Sequence, residues 1–133
     1  MLIRILAVGQ RSPRWVDEAV SDYLKRFPSG LDVELVAVKT ENRTGDPTRR
    51  TEAATATLMA REAERLRAKL PPRARVVVLD EHGDDLRTTA LARRLQQWQQ
   101  AADPVAILIG GPDGELETVC ERARSTGITA RRL

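Results

Sequence analysis

Hydrophobic positions along the chain fall into short, mostly apolar stretches that alternate with segments of helical periodicity. These stretches cover residues 2–8, 31–39 (apolar at 31, 33, 35 and 36–38), 76–79 and 105–109, and they are typical of buried strands in parallel sheets. Between the stretches, apolar side chains recur at spacings of three and four residues, which predicts amphipathic helices. The alternation predicts an α/β fold, a single domain in which helices flank a mostly parallel sheet.

Four helices are predicted from the periodic segments. The first begins at Ser12-Pro13, because serine is a favourable N-cap and proline suits the first helical position, and it ends before Pro28. One face of this helix should be apolar and comprises Val16, Val20, Tyr23, Leu24 and Phe27. The other predicted helices span residues 51–70, 88–100 and 116–124. We expect residues 1–133 to form one domain.

Composition narrows the kinds of site that the chain can hold. Of the 133 residues, 41% are hydrophobic and only 3% are aromatic, so the core should be mostly aliphatic. Cys120 and His82 are the only residues of their types, which excludes a disulfide framework and argues against a metal site. We interpret Cys120 as a small buried residue. No apolar run is long enough to cross a bilayer and the first residues do not resemble a signal peptide, so we expect a cytoplasmic protein.

The charge balance is compatible with an RNA partner without requiring one. The formal net charge is +3, and the polar segment of residues 40–50 contains Arg43, Arg49 and Arg50. Basic loops of this kind contact phosphates in nucleic-acid-binding proteins, but they also occur as ordinary solvated surface. Composition therefore leaves both interpretations open.

Two strand ends are the best candidates for a ligand site. Ligands of parallel sheets bind beyond the carboxyl ends of the strands, where this chain has Leu79-Asp80 and the glycine-rich residues 110–114. Three glycines in that turn would let the backbone approach a ligand closely, although such a turn can also simply end a strand. The turn has neither the G-x-G-x-x-G spacing of dinucleotide sites nor the Gly-Lys-Ser/Thr of phosphate-binding loops.

Acidic residues follow the third predicted strand. Asp80, Glu81, Asp84 and Asp85 surround His82, and paired carboxylates could in principle exchange protons with a substrate. Charge runs more often form solvated surface, which is the interpretation that we favour here. The sequence therefore assigns no catalytic residue.

Four stretches of the chain match the motifs of one known family in order and spacing. They are residues 6–9 with 13–16 (LAVG, PRWV), 23–28 (YLKRFP), 78–80 with Gly83 (VLD, G) and 108–114 (LIGGPDG). On these motifs the sequence resembles the bacterial ribosomal large-subunit pseudouridine-N3 methyltransferases, a small branch of the SPOUT class.

The resemblance implies a fold, a cofactor and partners. The fold would be a SPOUT α/β domain whose C-terminal trefoil knot holds S-adenosylmethionine, and the enzyme would be a homodimer. The substrate would be a pseudouridine of ribosomal RNA on the assembled ribosome. The matched motifs imply two cofactor-binding residues in this sequence, Leu79 and Gly110. Gly111 is added as the neighbour of Gly110.

The resemblance is weakest at the C-terminal end of the sequence. Family members continue through a Leu-Pro-His loop and a last helix that form the knot, whereas residues 125–132 match poorly and the sequence ends at Leu133. The resemblance thus implies a C-terminally incomplete domain. Two alternatives stay open from the sequence, a non-catalytic RNA- or ribosome-binding module and an inactive remnant of the enzyme.

Overall fold

Strands and helices alternate along the chain, as the hydrophobic pattern predicts. The computed structural model describes residues 1–9, 12–39, 51–79, 83–110 and 130–132. Its elements are β1 (Leu2–Val8), α1 (Arg14–Leu24), β2 (Asp32–Val38), α2 (Glu52–Ala68), β3 (Arg75–Val78), α3 (Thr88–Ala101), β4 (Val105–Gly110) and β5 (Ala130–Arg132). The predicted α/β fold is therefore confirmed. None of the described helices is long and apolar enough to cross a membrane.

The strands form one sheet in the order β2-β1-β4-β3-β5, and every described pairing is parallel. The chain passes from β1 outward to β2, whereas it passes from β4 across β3 to β5. The connection that follows β1 thus leads to one side of the sheet, and the connection that follows β4 leads to the other side. The direction of the connections therefore reverses between the neighbouring strands β1 and β4. Ligands of open α/β sheets bind outside the carboxyl ends of the strands at such a reversal, which directs attention to Val8 and its register partner Gly110.

One face of the sheet packs against α2. The strands contribute alternate residues to this core, among them Leu6, Val76 and Leu108, each 0% exposed. Ala63 and Leu66 of α2 are equally buried against them. The N-terminus of α2 is capped by Thr51, whose hydroxyl accepts a hydrogen bond from the Ala54 amide at 3.1 Å.

The other face packs against α3 through the remaining alternate residues of the strands. Trp98 of α3 lies in a cluster with Ile3, Val77 and Val105, and Leu95 packs against its margin. Ion pairs connect the elements at the surface, notably Arg4 of β1 with Glu34 of β2.

The first predicted helix begins near the predicted place but has a different cap, length and face. Its N-cap is Pro13 and no side chain caps it, so the predicted serine cap was wrong. The helix ends at Leu24, and none of its residues is buried. Val16, Val20 and Leu24 are half-buried, whereas Tyr23 is 65% and Phe27 43% exposed, so the predicted single apolar face was wrong for these two residues. The reason is geometric, because residues 16, 20 and 24 lie along one stripe and Tyr23 lies beside it.

β5 is the element that the sequence pattern missed. Its residues Ala130–Arg132 pair with Val76–Val78 of β3, but Ala-Arg-Arg contains no apolar run to indicate a strand. The predicted helix of residues 116–124, the arginine-containing segment 40–50, and Asp80, Glu81, His82, Gly111 and Cys120 lie outside the described residues.

Candidate functional site at the carboxyl edge of the sheet

Leu79 directly follows the buried strand β3. Its amide donates a hydrogen bond to the carbonyl oxygen of Leu108 at 2.9 Å, which continues the pairing of β3 with β4. The preceding Val78 is 0% exposed in the α2 core, whereas Leu79 points to the opposite face and is 42% exposed. The strand thus presents a large apolar side chain to solvent at the edge where ligands of such sheets bind.

Gly110 ends β4 in a conformation that favours glycine. Its φ is +89°, and a β-carbon built there would lie 2.5 Å from the carbonyl oxygen of Val8. Any side chain would therefore force β1 and β4 apart in addition to straining the backbone. The close approach of the two strand ends requires glycine at this position, and Gly110 is exposed in the described structure.

Ile109 lies at the same edge, and sequence reasoning did not single it out. It is 38% exposed and, by strand alternation, it shares the α3 face with Ile107 and Leu79. Leu79 and Ile109 lie on adjacent strands and together form what we call the apolar ledge. Both residues belong to apolar stretches that predict burial. Only the structure shows that none of the described helices buries these two side chains.

The polar residues near this edge do not form a proton-transfer pair in the described structure. Asp84 and Asp85 are exposed between Gly83 and α3, as the interpretation of a solvated acidic segment predicts. No group of three histidine, cysteine or carboxylate side chains that could hold a metal ion occurs in the described part of the chain. The described edge therefore offers apolar contact and backbone groups to a ligand.

A second exposed apolar surface lies on α1. Trp15, Ala19, Tyr23 and Phe27 follow one another at four-residue intervals, and we call them the α1 aromatic surface. Trp15 is 71% exposed, and the Arg26 guanidinium carbon lies 5.0 Å from the centre of the Tyr23 ring. An exposed aromatic stripe of this kind is unusual on an isolated domain and indicates a contact with a partner.

Comparison with known proteins decides the family. The sequence profile described as "Predicted SPOUT methyltransferase" matches residues 1–127. The chain belongs to the SPOUT methyltransferase family. In open parallel α/β sheets such as this one, the carboxyl edge is the expected place for a ligand.

Several relatives of this SPOUT methyltransferase carry the name "Ribosomal RNA large subunit methyltransferase H". The protein of Acidovorax ebreus is 54% identical over 114 residues, which are 86% of this chain and 69% of the relative. That of Leptothrix cholodnii is 49% identical over 124 residues, 92% of this chain and 75% of the relative. That of Methylibium petroleiphilum is 47% identical over 126 residues, which are 95% of this chain and 77% of the relative.

The structure brings two of the three predicted cofactor residues together. Leu79 and Gly110 lie at the carboxyl ends of the neighbouring strands β3 and β4, and Gly111 lies outside the described residues. Val8 and Ile109 join them as neighbours that the sequence did not indicate. Val8 could have been identified only from the register of β1 with β4, which no local pattern specifies.

Proposed function

We propose that this SPOUT methyltransferase transfers a methyl group from S-adenosylmethionine to N3 of a pseudouridine in large-subunit ribosomal RNA. Membership of the family supports the reaction, and the names of relatives about half identical to this chain support ribosomal RNA as the substrate. The family resemblance of the four sequence motifs supports the pseudouridine and its N3 atom. A ribosomal substrate implies a cytoplasmic location and contact with the assembled ribosome.

The observation that carries the proposal is the open, glycine-requiring end of β4 beside the apolar ledge. Adenine and ribose are commonly held by backbone groups and apolar contacts, and these are what Gly110, Leu79 and Ile109 provide. The residues present therefore fit S-adenosylmethionine. Leu79, Gly110 and Gly111 would hold it, and its sulfonium would supply an already activated methyl group.

The residues of the chain then contribute binding and orientation. Rigid strand ends fix the position of a ligand better than a free loop does, and correct placement of two reactants can supply most of the acceleration. The ledge excludes water from one side of the ligand because its two side chains are apolar. The acceptor N3 loses a proton, which water or a base takes up, and we assign no residue to that role.

We also propose that the enzyme is a homodimer in which the α1 aromatic surface lies at the interface. Two tryptophans, one tyrosine and one phenylalanine are all the aromatic residues of the chain. Three of these four, Trp15, Tyr23 and Phe27, are exposed in or just after α1. Aromatic residues are enriched in protein interfaces, and a family in which one subunit completes the site of the other accounts for such a surface.

Isothermal titration calorimetry with S-adenosylmethionine tests the cofactor site. Gly110→Ala should abolish or strongly weaken binding, and Leu79→Asp should weaken it without affecting the core because the side chain is 42% exposed. Gly30→Ala is a matched control, since Gly30 has a similar φ of +91° but no atom within 4 Å of an added β-carbon.

The outcomes separate the proposed enzyme from its alternatives. Binding that survives Gly30→Ala and is lost in the two edge variants supports the site. Equal binding by all variants would place the cofactor elsewhere. Salt-dependent RNA binding without any binding of S-adenosylmethionine by the unaltered chain would favour a non-catalytic RNA-binding module.

A further inference from the structure

At the carboxyl edge of the sheet, the side chains on the two sides of Ile109 differ in size. On the α3 face, the register places Leu79, Ile109, Ala7 and Ala37 side by side on β3, β4, β1 and β2. Leu79 and Ile109 are large and are 42% and 38% exposed. Ala7 is half-buried and Ala37 is exposed, and each carries only a methyl group.

Among the described residues, side-chain size therefore steps down from the apolar ledge to the methyl group of Ala7 on the β1 side of Ile109, and we call this position the recess. Neighbouring strands are about 4.8 Å apart, so the recess over Ala7 lies within one strand spacing of Ile109. Gly9, the residue after β1, is exposed, and no atom lies within 4 Å of a β-carbon built on it. Within the described residues, Gly9 therefore leaves space above Ala7, toward the edge where the direction of the connections reverses.

Poor packing does not explain the exposure of Ile109. The adjacent Leu108 and Ala106 are 0% exposed, and Ile107 packs against the α3 core. β4 is thus well packed up to its last residues, where a β-branched apolar side chain emerges into solvent. Exposed large apolar side chains at a ligand-binding edge indicate contact with a ligand.

We propose that Ile109 divides two ligand positions, with the cofactor over Leu79 on the β3 side and the acceptor nucleobase of the RNA over Ala7 on the β1 side. This inference rests on the proposed function. Methyl transfer requires the reacting atoms to approach to about 3–3.5 Å, so the acceptor must lie directly beside the cofactor. Of the described residues that flank Ile109 on the neighbouring strands, Ala7 has the smallest side chain, so a flat ring beside the cofactor meets the least steric hindrance there.

The step that this arrangement serves is a simple displacement. The acceptor nitrogen forms the new N–C bond to the methyl carbon, while the methyl C–S bond breaks and its electron pair stays on sulfur as a thioether. The N3 proton of the acceptor leaves to water. Ile109 is a positioning residue in this step, because it contacts the two ligands from the side and takes up no proton.

Methyl NMR of the labelled chain locates each ligand independently of turnover. S-adenosylmethionine should shift the methyl signals of Leu79 and Ile109, whereas an RNA oligonucleotide containing pseudouridine should shift those of Ala7 and Ile109. RNA-induced shifts at Leu79 but not at Ala7 would overturn the proposal. If S-adenosylmethionine shifts no signal, the proposed cofactor site fails, while the RNA titration still decides where the acceptor binds.

Filling the recess tests its role in catalysis. Ala7→Leu should lower kcat/KM for RNA by about tenfold or more and leave the Kd of S-adenosylmethionine unchanged within error. Ala68→Leu, on an exposed position of α2, is the control and should change neither. A parallel rise in the Kd of S-adenosylmethionine, or no change in kcat/KM for a folded Ala7→Leu, contradicts the proposal.

A second variant covers the case in which Ala7→Leu does not fold. Gly9→Ala adds one methyl group where no atom lies within 4 Å, but the φ of Gly9 is +157°, which an L side chain rarely adopts. The variant should therefore cost about 1 kcal/mol and still fold, and Gly30→Ala, with a φ of +91° and no atom within 4 Å of an added β-carbon, is its control. It should raise the KM for RNA and leave the Kd of S-adenosylmethionine unchanged. An unchanged KM for this variant, together with unperturbed Ala7 signals in the RNA titration, would rule out the β1 side as the acceptor position.

Discussion

The carbonyl oxygen of Val8 lies 2.5 Å from the position that a β-carbon would occupy at Gly110. The two residues are register partners on β1 and β4, at the reversal of the sheet connections. Their backbones meet so closely that the fold itself requires glycine at the end of β4. Gly110 is exposed in the described part of the chain, at the edge where we propose that the cofactor binds.

Gly110→Ala should lower the free energy of unfolding by about 2–4 kcal/mol, since both the positive φ and the clash with Val8 oppose it. Gly30→Ala has a similar φ of +91° without a nearby atom, so it should cost only about 1 kcal/mol. Urea denaturation of both variants measures the difference. Equal losses in the free energy of unfolding would show that the close contact with Val8 does not contribute to the cost of Gly110→Ala.

Ala102→Gly should stabilise the protein by about 0.5–1 kcal/mol. Ala102 follows α3 with a φ of +59°, a left-handed C-terminal conformation that glycine adopts at lower cost. Ala101→Gly, one residue earlier and inside the helix, should instead destabilise by about 0.5–1 kcal/mol. Thermal unfolding of the two variants checks the opposite signs, and a shift in the same direction for both contradicts the explanation.

Arg4→Met should destabilise the protein by about 1 kcal/mol and by less in high salt. The Arg4 guanidinium joins three elements, because it pairs with Glu34 of β2 and donates to the carbonyl oxygen of Lys69 after α2 at 2.9 Å. Arg14→Met is the control, since Arg14 is 92% exposed in its pair with Glu18 and such pairs contribute little. Equal effects in urea denaturation would mean that Arg4 is no more than a surface charge.

Replacing Trp15 and Tyr23 together by serine should convert a dimer to a monomer in sedimentation-velocity experiments. Both side chains are largely exposed on α1, and truncated aromatic anchors at an interface typically cost 2 kcal/mol or more each, or about 30-fold in the dissociation constant. Leu91→Ser is the control, because Leu91 is 44% exposed on α3. A monomeric unaltered chain at micromolar concentration would contradict this part of the proposal.

The local hydrophobic pattern predicted β1 to β4 and the helices between them, but not which strands lie side by side in the sheet. The runs of residues 2–8 and 105–109 indicated β1 and β4 because buried parallel strands are continuously apolar. That β4 lies between β1 and β3 depends on contacts between residues far apart in sequence. The approach of Val8 to Gly110, and the step from Ile109 to Ala7, depend on that order and could not be predicted.

Two further differences have local causes. β5 was not predicted because its residues, Ala-Arg-Arg, contain no apolar run. They form a strand by pairing with β3. Tyr23 and Phe27 were placed in the core because periodicity identifies apolar stripes without showing which stripe meets the sheet. The candidate site was predicted in part, since glycine at residue 110 and the end of β3 are visible in the sequence, whereas the exposure of Ile109 is not.

The position of β4 has a consequence for how the protein is made. β4 begins at Val105 yet separates β1 from β3, so the sheet cannot close before most of the chain has left the ribosomal exit tunnel. Contacts of such long sequence separation slow folding. During synthesis the inner edges of β1 and β3 stay unpaired and exposed, and this interval is when we expect the nascent chain to be most prone to aggregation.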